Sequence, residues 1–262
     1  MPTDKMIARK ADGIGWMVFN NPERHNAVSL EMWEAAQEII ADFIADEAVR
    51  VIVVRGAGDK AFVSGADISK FDNERAEQEA VERYDRATEG AYTALRVAPK
   101  PTIAMIQGYC IGGGANLAVC CDLRIASETA RFAIPAARLG LGYGYTRVRR
   151  LLDVVSPAFA KEIFFTARQF TAEEARIMGL VNRVVPQAEL EAYVTDYARQ
   201  IAENAPLTVT SIKRIVAEAL KDPAERDLAL CEELVRRCFA SEDYKEGRLA
   251  FKEKRKPVFR GR

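Results

Sequence analysis

The sequence contains one histidine, His25, among 262 residues. That scarcity sets aside a histidine-based metal site and a Ser-His-Asp triad, both of which need imidazoles in defined places. The five cysteines, Cys110, Cys120, Cys121, Cys231 and Cys238, are odd in number and form no CxxC pair. Four lie in apolar runs, which reads as reduced, buried thiols rather than a disulfide framework. Neither sign of charge is in excess, since 38 Lys+Arg balance 38 Asp+Glu. Broad electrostatic binding to nucleic acid or to a membrane surface is therefore not expected. No apolar run approaches the roughly 18 residues of a membrane span. Residues 1–10 lack an apolar targeting core, and there is neither a low-complexity tract nor a repeat of fixed period. These absences point to a cytoplasmic protein.

What is present is a globular profile, 49% hydrophobic and 29% charged, long enough to bury a sizeable core without disulfides or metals. Residues 6–20 read as two strands around Asp12-Gly13, a hairpin signal. Ser29 stands where a helix N-cap is expected, with Glu31 in the first turn. Trp33, Ala36, Ile40 and Phe43 then fall on one helical face. Residues 50–55 (RVIVVR) read as a buried parallel strand. A charged helix over 79–96, a strand over 102–106, a glycine loop at 112–114, a helix over 115–121 and a strand near 122–126 follow. Alternating strands and helices predict an α/β layer with crossover connections. In the last third, Leu190, Val194, Tyr197 and Ile201 have helical spacing. So do Val209, Ile212 and Val216, and Leu228, Cys231, Val235 and Cys238. The outline is an α/β core over residues 1–200 and a helical region over 201–262.

Two segments carry chemistry. Residues 62–68 (FVSGADI) follow a strand and a glycine turn; residues 108–117 (GYCIGGGANL) join a strand to a helix through three glycines. Glycines at such junctions let backbone approach a ligand. A helix start offers free N–H groups and a positive dipole end. One N–H from each segment could hold a single carbonyl oxygen as it becomes an enolate. Losing one such donor costs about 3–4 kcal/mol of transition-state stabilisation. A glycine triplet alone is a weak signal, and this one has neither GxGxxG spacing nor the Lys-Ser/Thr of a P-loop.

With these loops on the page, the chain resembles the enoyl-CoA hydratase/isomerase (crotonase) superfamily. The likeness runs through residues 21–27 (NPERHNA), 62–68, 100–104 (KPTIA), 108–117, 121–126 (CDLRIA), 132–135 (FAIP), 138–140 (RLG), 175–181 (ARIMGLV) and 251–256 (FKEKRK). It implies an α/β fold with a ββα spiral core and a C-terminal helical trimerisation region. It also implies an acyl-CoA substrate, no cofactor beyond that coenzyme A, no metal, and a homotrimer or dimer of trimers. By the same resemblance, the amides of Ala66 and Gly113 form an oxyanion hole. Arg24 and Ala27 lie along the pantetheine, and Ser64 meets the adenine. Asp67, Ile68, Tyr109 and Ala136 line the substrate. Phe251 and Lys254 reach the nucleotide end, often across a subunit boundary. The basic run 252–256 is either a solvated helix end or a phosphate contact. An RNA-associated role through it is the remotest reading.

Two departures matter. Where hydratases of the family carry glutamates that hold water and deliver the proton, this chain has Asn116 and Ala136. A carboxamide cannot exchange a proton near neutral pH, and a methyl group can do neither task. Residues 139–145 (LGLGYGY) are similar to the methylmalonyl-CoA decarboxylase branch, which has a tyrosine at the position of Tyr143. That branch has a histidine where this chain has Ala66. Tyr143 and Tyr145 either assist the chemistry or fill the volume of the missing glutamates. Arg138, Arg147, Arg149 and Arg150 read as helix-surface charges, some able to neutralise a second substrate carboxylate. Asp67 is expected to hydrogen-bond within its loop, and His25 to face solvent or the coenzyme A entrance. An acyl-CoA-binding protein without turnover stays open beside an enolate-forming enzyme.

Overall fold

The computed structural model describes residues 3–67 and 78–262. The chain opens with strands β1 (Met6–Ala11) and β2 (Ile14–Phe19), which pair antiparallel. Asp12 and Gly13 both adopt positive φ, 53° and 78°, as a two-residue hairpin turn of this hand requires. Helix α1 (Leu30–Ala45) buries Trp33, Ala36, Ile40 and Phe43 as the spacing implied. Ser29 occupies the N-cap position, but its hydroxyl caps no helix amide; it donates to Glu31 Oε1 at 3.3 Å.

The strands that follow are β3 (Val51–Gly56), β4 (Ala61–Val63), β5 (Thr102–Ile106), β6 (Tyr109–Ile111), β7 (Leu123–Ser127), β8 (Arg131–Ala133), β9 (Phe170–Thr171) and β10 (Arg183–Val185). They form two sheets, ordered β1-β2-β3-β5-β7-β10 and β4-β6-β8-β9. Each of the pairs β3/β4, β5/β6 and β7/β8 gives one strand to each sheet, and a helix closes each turn. Corresponding strands of successive turns pair parallel. This is the α/β fold with a ββα spiral core that the family resemblance implied; periodicity alone did not show the second sheet. Its strands span two or three residues, too few for a period-two pattern to register.

The large sheet is covered on both faces, which is why β3 reads as an unbroken apolar run. Ile52 and Val54 face the main core with α1, while Val51 and Val53 face Leu190, Val194 and Ala198 of the later helix α7. Helix α2 (Gln78–Val97) lies against α1. Gly90 permits the approach, since a Cβ there would sit 2.3 Å from Gln37 Oε1. Gln37 in turn donates to the Ala87 carbonyl at 3.1 Å. The third glycine loop feeds α3 (Gly113–Cys120), which starts inside the glycine run rather than after it. Gly112, with φ 56°, is the residue outside the helix.

Helices α4 (Tyr145–Leu152), α5 (Pro157–Thr166) and α6 (Ala172–Ile177) complete the core, and α7 (Leu190–Ala202) covers the outer face. Then come α8 (Pro206–Ala219), α9 (Leu228–Ala240) and α10 (Glu242–Glu253). These three bury almost no apolar side chain of their own and enclose an apolar groove of about 720 Å³. Cys110, Cys120 and Cys121 are buried as expected, whereas Cys231 and Cys238 on α9 are only half-buried. Among the described residues, no helix is long and apolar enough to cross a membrane.

Candidate active site

The two glycine-bearing loops meet. After β4 the chain turns through Gly65, at φ 108°, and Ala66 forms an isolated parallel bridge with Val28. The Val28 N–H donates to Gly65 O at 2.9 Å, and the Asp67 N–H donates to Val28 O at 3.1 Å. A parallel bridge of this register uses the amides on either side of Ala66 and turns its own N–H away from Val28. Among the described residues that N–H has no acceptor. Gly113 opens α3, so its amide belongs to the first turn and has no acceptor within the helix. A Cβ placed on Gly65 would lie 3.8 Å from the Gly113 nitrogen, and one on Gly113 would lie 3.6 Å from Gly65 Cα. The loops are thus in van der Waals contact. Gly114 makes that contact possible, because a Cβ there would fall 2.0 Å from the Val63 carbonyl oxygen.

Beyond Gly113, one turn of α3 places Asn116 in a buried position, where its side-chain amide donates to the Tyr143 hydroxyl. The Tyr143 ring packs edge-on against Phe164, with centroids 4.8 Å apart. Burial pushes the Tyr143 phenol up to about 12, and the Asn116 hydrogen bond offsets that only in part. The phenol is therefore a neutral O–H donor at physiological pH. Ala136 is buried in the tight turn Pro135–Leu139, where only a methyl group is presented. Tyr145 is 81% exposed, so it fills no vacated volume, which corrects one reading of that residue.

The arginines also differ from expectation. Arg150 is buried, with Nη1 2.8 Å from Glu89 Oε2, and Arg147 Nε donates to Glu89 Oε1 at 2.8 Å. Burial works to raise the Glu89 carboxyl, but the two guanidiniums outweigh it and hold it below its ordinary value. Arg147 also stands 3.5 Å from Asp85. The pair forms a partly buried ion network under α4, while Arg149 pairs with Asp153 and Arg138 is exposed. At the other end of α3, buried Arg124 donates to the Cys121 carbonyl at 2.6 Å and the Leu180 carbonyl at 2.7 Å.

On the outer side, Ser64 and Arg24 lie together: the Ser64 N–H donates to His25 O at 3.1 Å and its hydroxyl to Arg24 O at 3.4 Å. The exposed Arg24 guanidinium is 3.7 Å from the buried Asp67 carboxylate. Ala27 is buried beside them. Tyr109 is partly exposed, and its ring meets the exposed His25 edge-on at 5.6 Å. Ile68 lies outside the described residues. Phe251 and Lys254 are not brought to this cluster within one chain. Phe251 projects, 86% exposed, along the groove of the last helices, and Lys254 ends α10 in an exposed left-handed turn. Tyr84, Glu89 and Tyr92 of α2 escaped the sequence reading, which took that helix as merely charged. The signal was two tyrosines recurring on one helical side in an otherwise polar run.

This sequence and architecture have counterparts. The enoyl-CoA hydratase/isomerase family profile matches residues 9–262. The short-chain-enoyl-CoA hydratase of Clostridium acetobutylicum is 34% identical over 258 residues, covering 98% of this chain and 97% of that protein. The carnitinyl-CoA dehydratase of Escherichia coli O157:H7 is 35% identical over 242 residues, covering 90% and 91%. Among solved structures, an enoyl-CoA hydratase/carnithine racemase from Magnetospirillum magneticum superposes with a TM-score of 0.94 at 37% identity, over 99% of this chain and 97% of that one. The chain has the crotonase fold and belongs to the enoyl-CoA hydratase/isomerase family.

Proposed function

We propose that this enzyme binds an acyl-CoA thioester and stabilises its enolate between the amides of Ala66 and Gly113, without the two-glutamate hydration chemistry. The observation that carries the reading is the Asn116–Tyr143 hydrogen bond beside the paired loops. It places a neutral phenol, rather than a carboxylate, next to the position where an enolate would be held.

The reaction that asks least of such a site is decarboxylation of a malonyl-type thioester. The bond from the α-carbon to the carboxylate breaks, CO₂ leaves, and the electron pair enters the enolate. Two main-chain donors hold the oxygen, where a low-dielectric setting makes them worth most. No base is needed. The α-carbon then takes a proton from the Tyr143 phenol, which recovers one from water; an enolate carbon is far more basic than a phenolate. Before the bond breaks, the same hydroxyl orients the departing carboxylate without adding negative charge.

Arg24, Ala27, Ser64, Asp67, Ile68 and Tyr109 are the residues proposed to hold the coenzyme A portion and the acyl entrance. Phe251 and Lys254 would reach it from a neighbouring copy. The apolar faces of α8, α9 and α10 support reading residues 201–262 as the assembly region of a homotrimer or dimer of trimers.

Malonyl-CoA and methylmalonyl-CoA should release CO₂ in the presence of the enzyme, while crotonyl-CoA should keep its conjugated absorbance. Rapid loss of that absorbance with no CO₂ release would overturn the non-hydrating mechanism. Tight binding of all three without turnover would leave an acyl-CoA-binding protein.

A further inference from the structure

Helix α2 sends two buried phenols to the two loops. The Tyr84 hydroxyl donates to the Val28 carbonyl at 3.1 Å, and Val28 is the bridge partner of Ala66. The Tyr92 hydroxyl donates to the Gly113 carbonyl at 2.8 Å. The tyrosines are two turns apart, about 12 Å along the axis at 1.5 Å per residue. Trp33 of α1 ties them together: its indole N–H donates to the Tyr84 oxygen at 3.1 Å, and its ring packs edge-on against Tyr92 at 5.3 Å. All three side chains are buried.

We infer that Tyr84 and Tyr92 are positioning residues that set the separation and aim of the Ala66 and Gly113 amides, with α2 as the rigid bar between them. This rests on the enolate reading of the site. The chemistry is that of aim. The Tyr92-held carbonyl shares its Cα with the Gly113 N–H, and the Tyr84-held carbonyl of Val28 also accepts the Asp67 N–H, so each phenol restrains the peptide unit that follows the donor residue and, through that residue's Cα, limits the swing of its N–H. Donors aimed at a developing oxyanion act only at close distance and near-linear angle. Neither phenol touches the acyl group. Each acts through one backbone carbonyl, and the two carbonyls belong to different loops.

The test uses acetoacetyl-CoA, a β-ketoacyl thioester whose acidic α-hydrogen gives a near-ultraviolet enolate band, with butyryl-CoA as the unreactive thioester. Wild-type protein should raise the enolate fraction of bound acetoacetyl-CoA. Tyr84→Phe and Tyr92→Phe, each lacking only a hydroxyl, should lower the bound-enolate equilibrium constant about three- to tenfold, below the full loss of a donor. Affinity for butyryl-CoA should change less than twofold. Trp33→Phe, which removes the indole donor to Tyr84, should act in the same direction and supplies the test if a tyrosine variant fails to fold. An unchanged enolate band in the folded variants, or an equal loss of affinity for both thioesters, overturns the brace. No enolate band in the wild type overturns the oxyanion reading beneath it.

Discussion

The side-chain amide of Asn116 is committed to the oxygen of Tyr143, across 27 residues of sequence. Because the tyrosine accepts that bond, its own proton stays available to donate elsewhere. In the proposed mechanism Asn116 supplies orientation and Tyr143 supplies the proton.

Removing the hydroxyl separates those parts. Tyr143→Phe should lower CO₂ release from a malonyl-type thioester by about 10²-fold, the scale of a positioned proton donor. It also leaves the buried Asn116 amide without its acceptor, at a cost of about 1–3 kcal/mol. Steady-state kinetics and a urea midpoint measured together check both numbers. Unchanged turnover would remove Tyr143 from the chemistry.

The same phenol gives a pH signature. Its folded value stands at about 12, above the ordinary 10. The unfolded state therefore releases the proton first, and stability is fully present below about pH 10 and fades as pH rises toward 12. Between pH 8 and pH 11, the wild type should lose about 1–1.5 kcal/mol more unfolding free energy than Tyr143→Phe. Urea titrations of both proteins at the two pH values read this difference.

Glu89 is the only carboxylate within ion-pair distance of Arg150 among the described residues. Glu89→Gln strands a buried guanidinium. Loss of one partner from a fully buried pair costs about 3–5 kcal/mol; here about 2–3 kcal/mol is expected, since Glu89 is one-third exposed and water screens part of the loss. Chemical denaturation in low and high salt checks it, and the effect should persist in high salt because Arg150 is shielded.

Two neighbouring glycines should respond differently to a methyl group. Gly114→Ala drives a Cβ to 2.0 Å from the Val63 carbonyl oxygen, which forces the loops apart. A loss of about 3 kcal/mol or more is expected, together with loss of the bound enolate. Gly112→Ala meets nothing within 4 Å and carries only the backbone strain of φ 56° with ψ −111°, outside the left-handed helical region, about 1–3 kcal/mol. Melting curves and acetoacetyl-CoA spectra of the two variants make the comparison.

The hairpin, the buried strand β3 and the apolar face of α1 were legible because each repeats its signal over five or more residues. The spiral was not. Its turns begin at Val51, Thr102 and Leu123, spacings too unequal to show as a sequence period, and its second sheet is built from fragments. The glycines drew attention to the two loops, and Ala66 and Gly113 within them were named from the family resemblance. Tyr84 and Tyr92 were missed because their recurrence on one side of a charged helix says nothing of the distant carbonyls they bond. Glu89 and its arginines looked like surface charge because partners 58 and 61 residues apart cannot be matched by eye.

Arg124 seals the end of α3 remote from Gly113, with its guanidinium on the terminal carbonyl of Cys121. The helix therefore presents its partial positive pole at Gly113, where the proposed thioester oxygen would be held, while a full positive charge sits at its opposite tip. Both contributions have the same sign along one short axis, so the field felt by a nascent anion grows instead of cancelling. A short segment bearing no acidic or basic side chain between its ends thereby acts as a directed electrostatic lever.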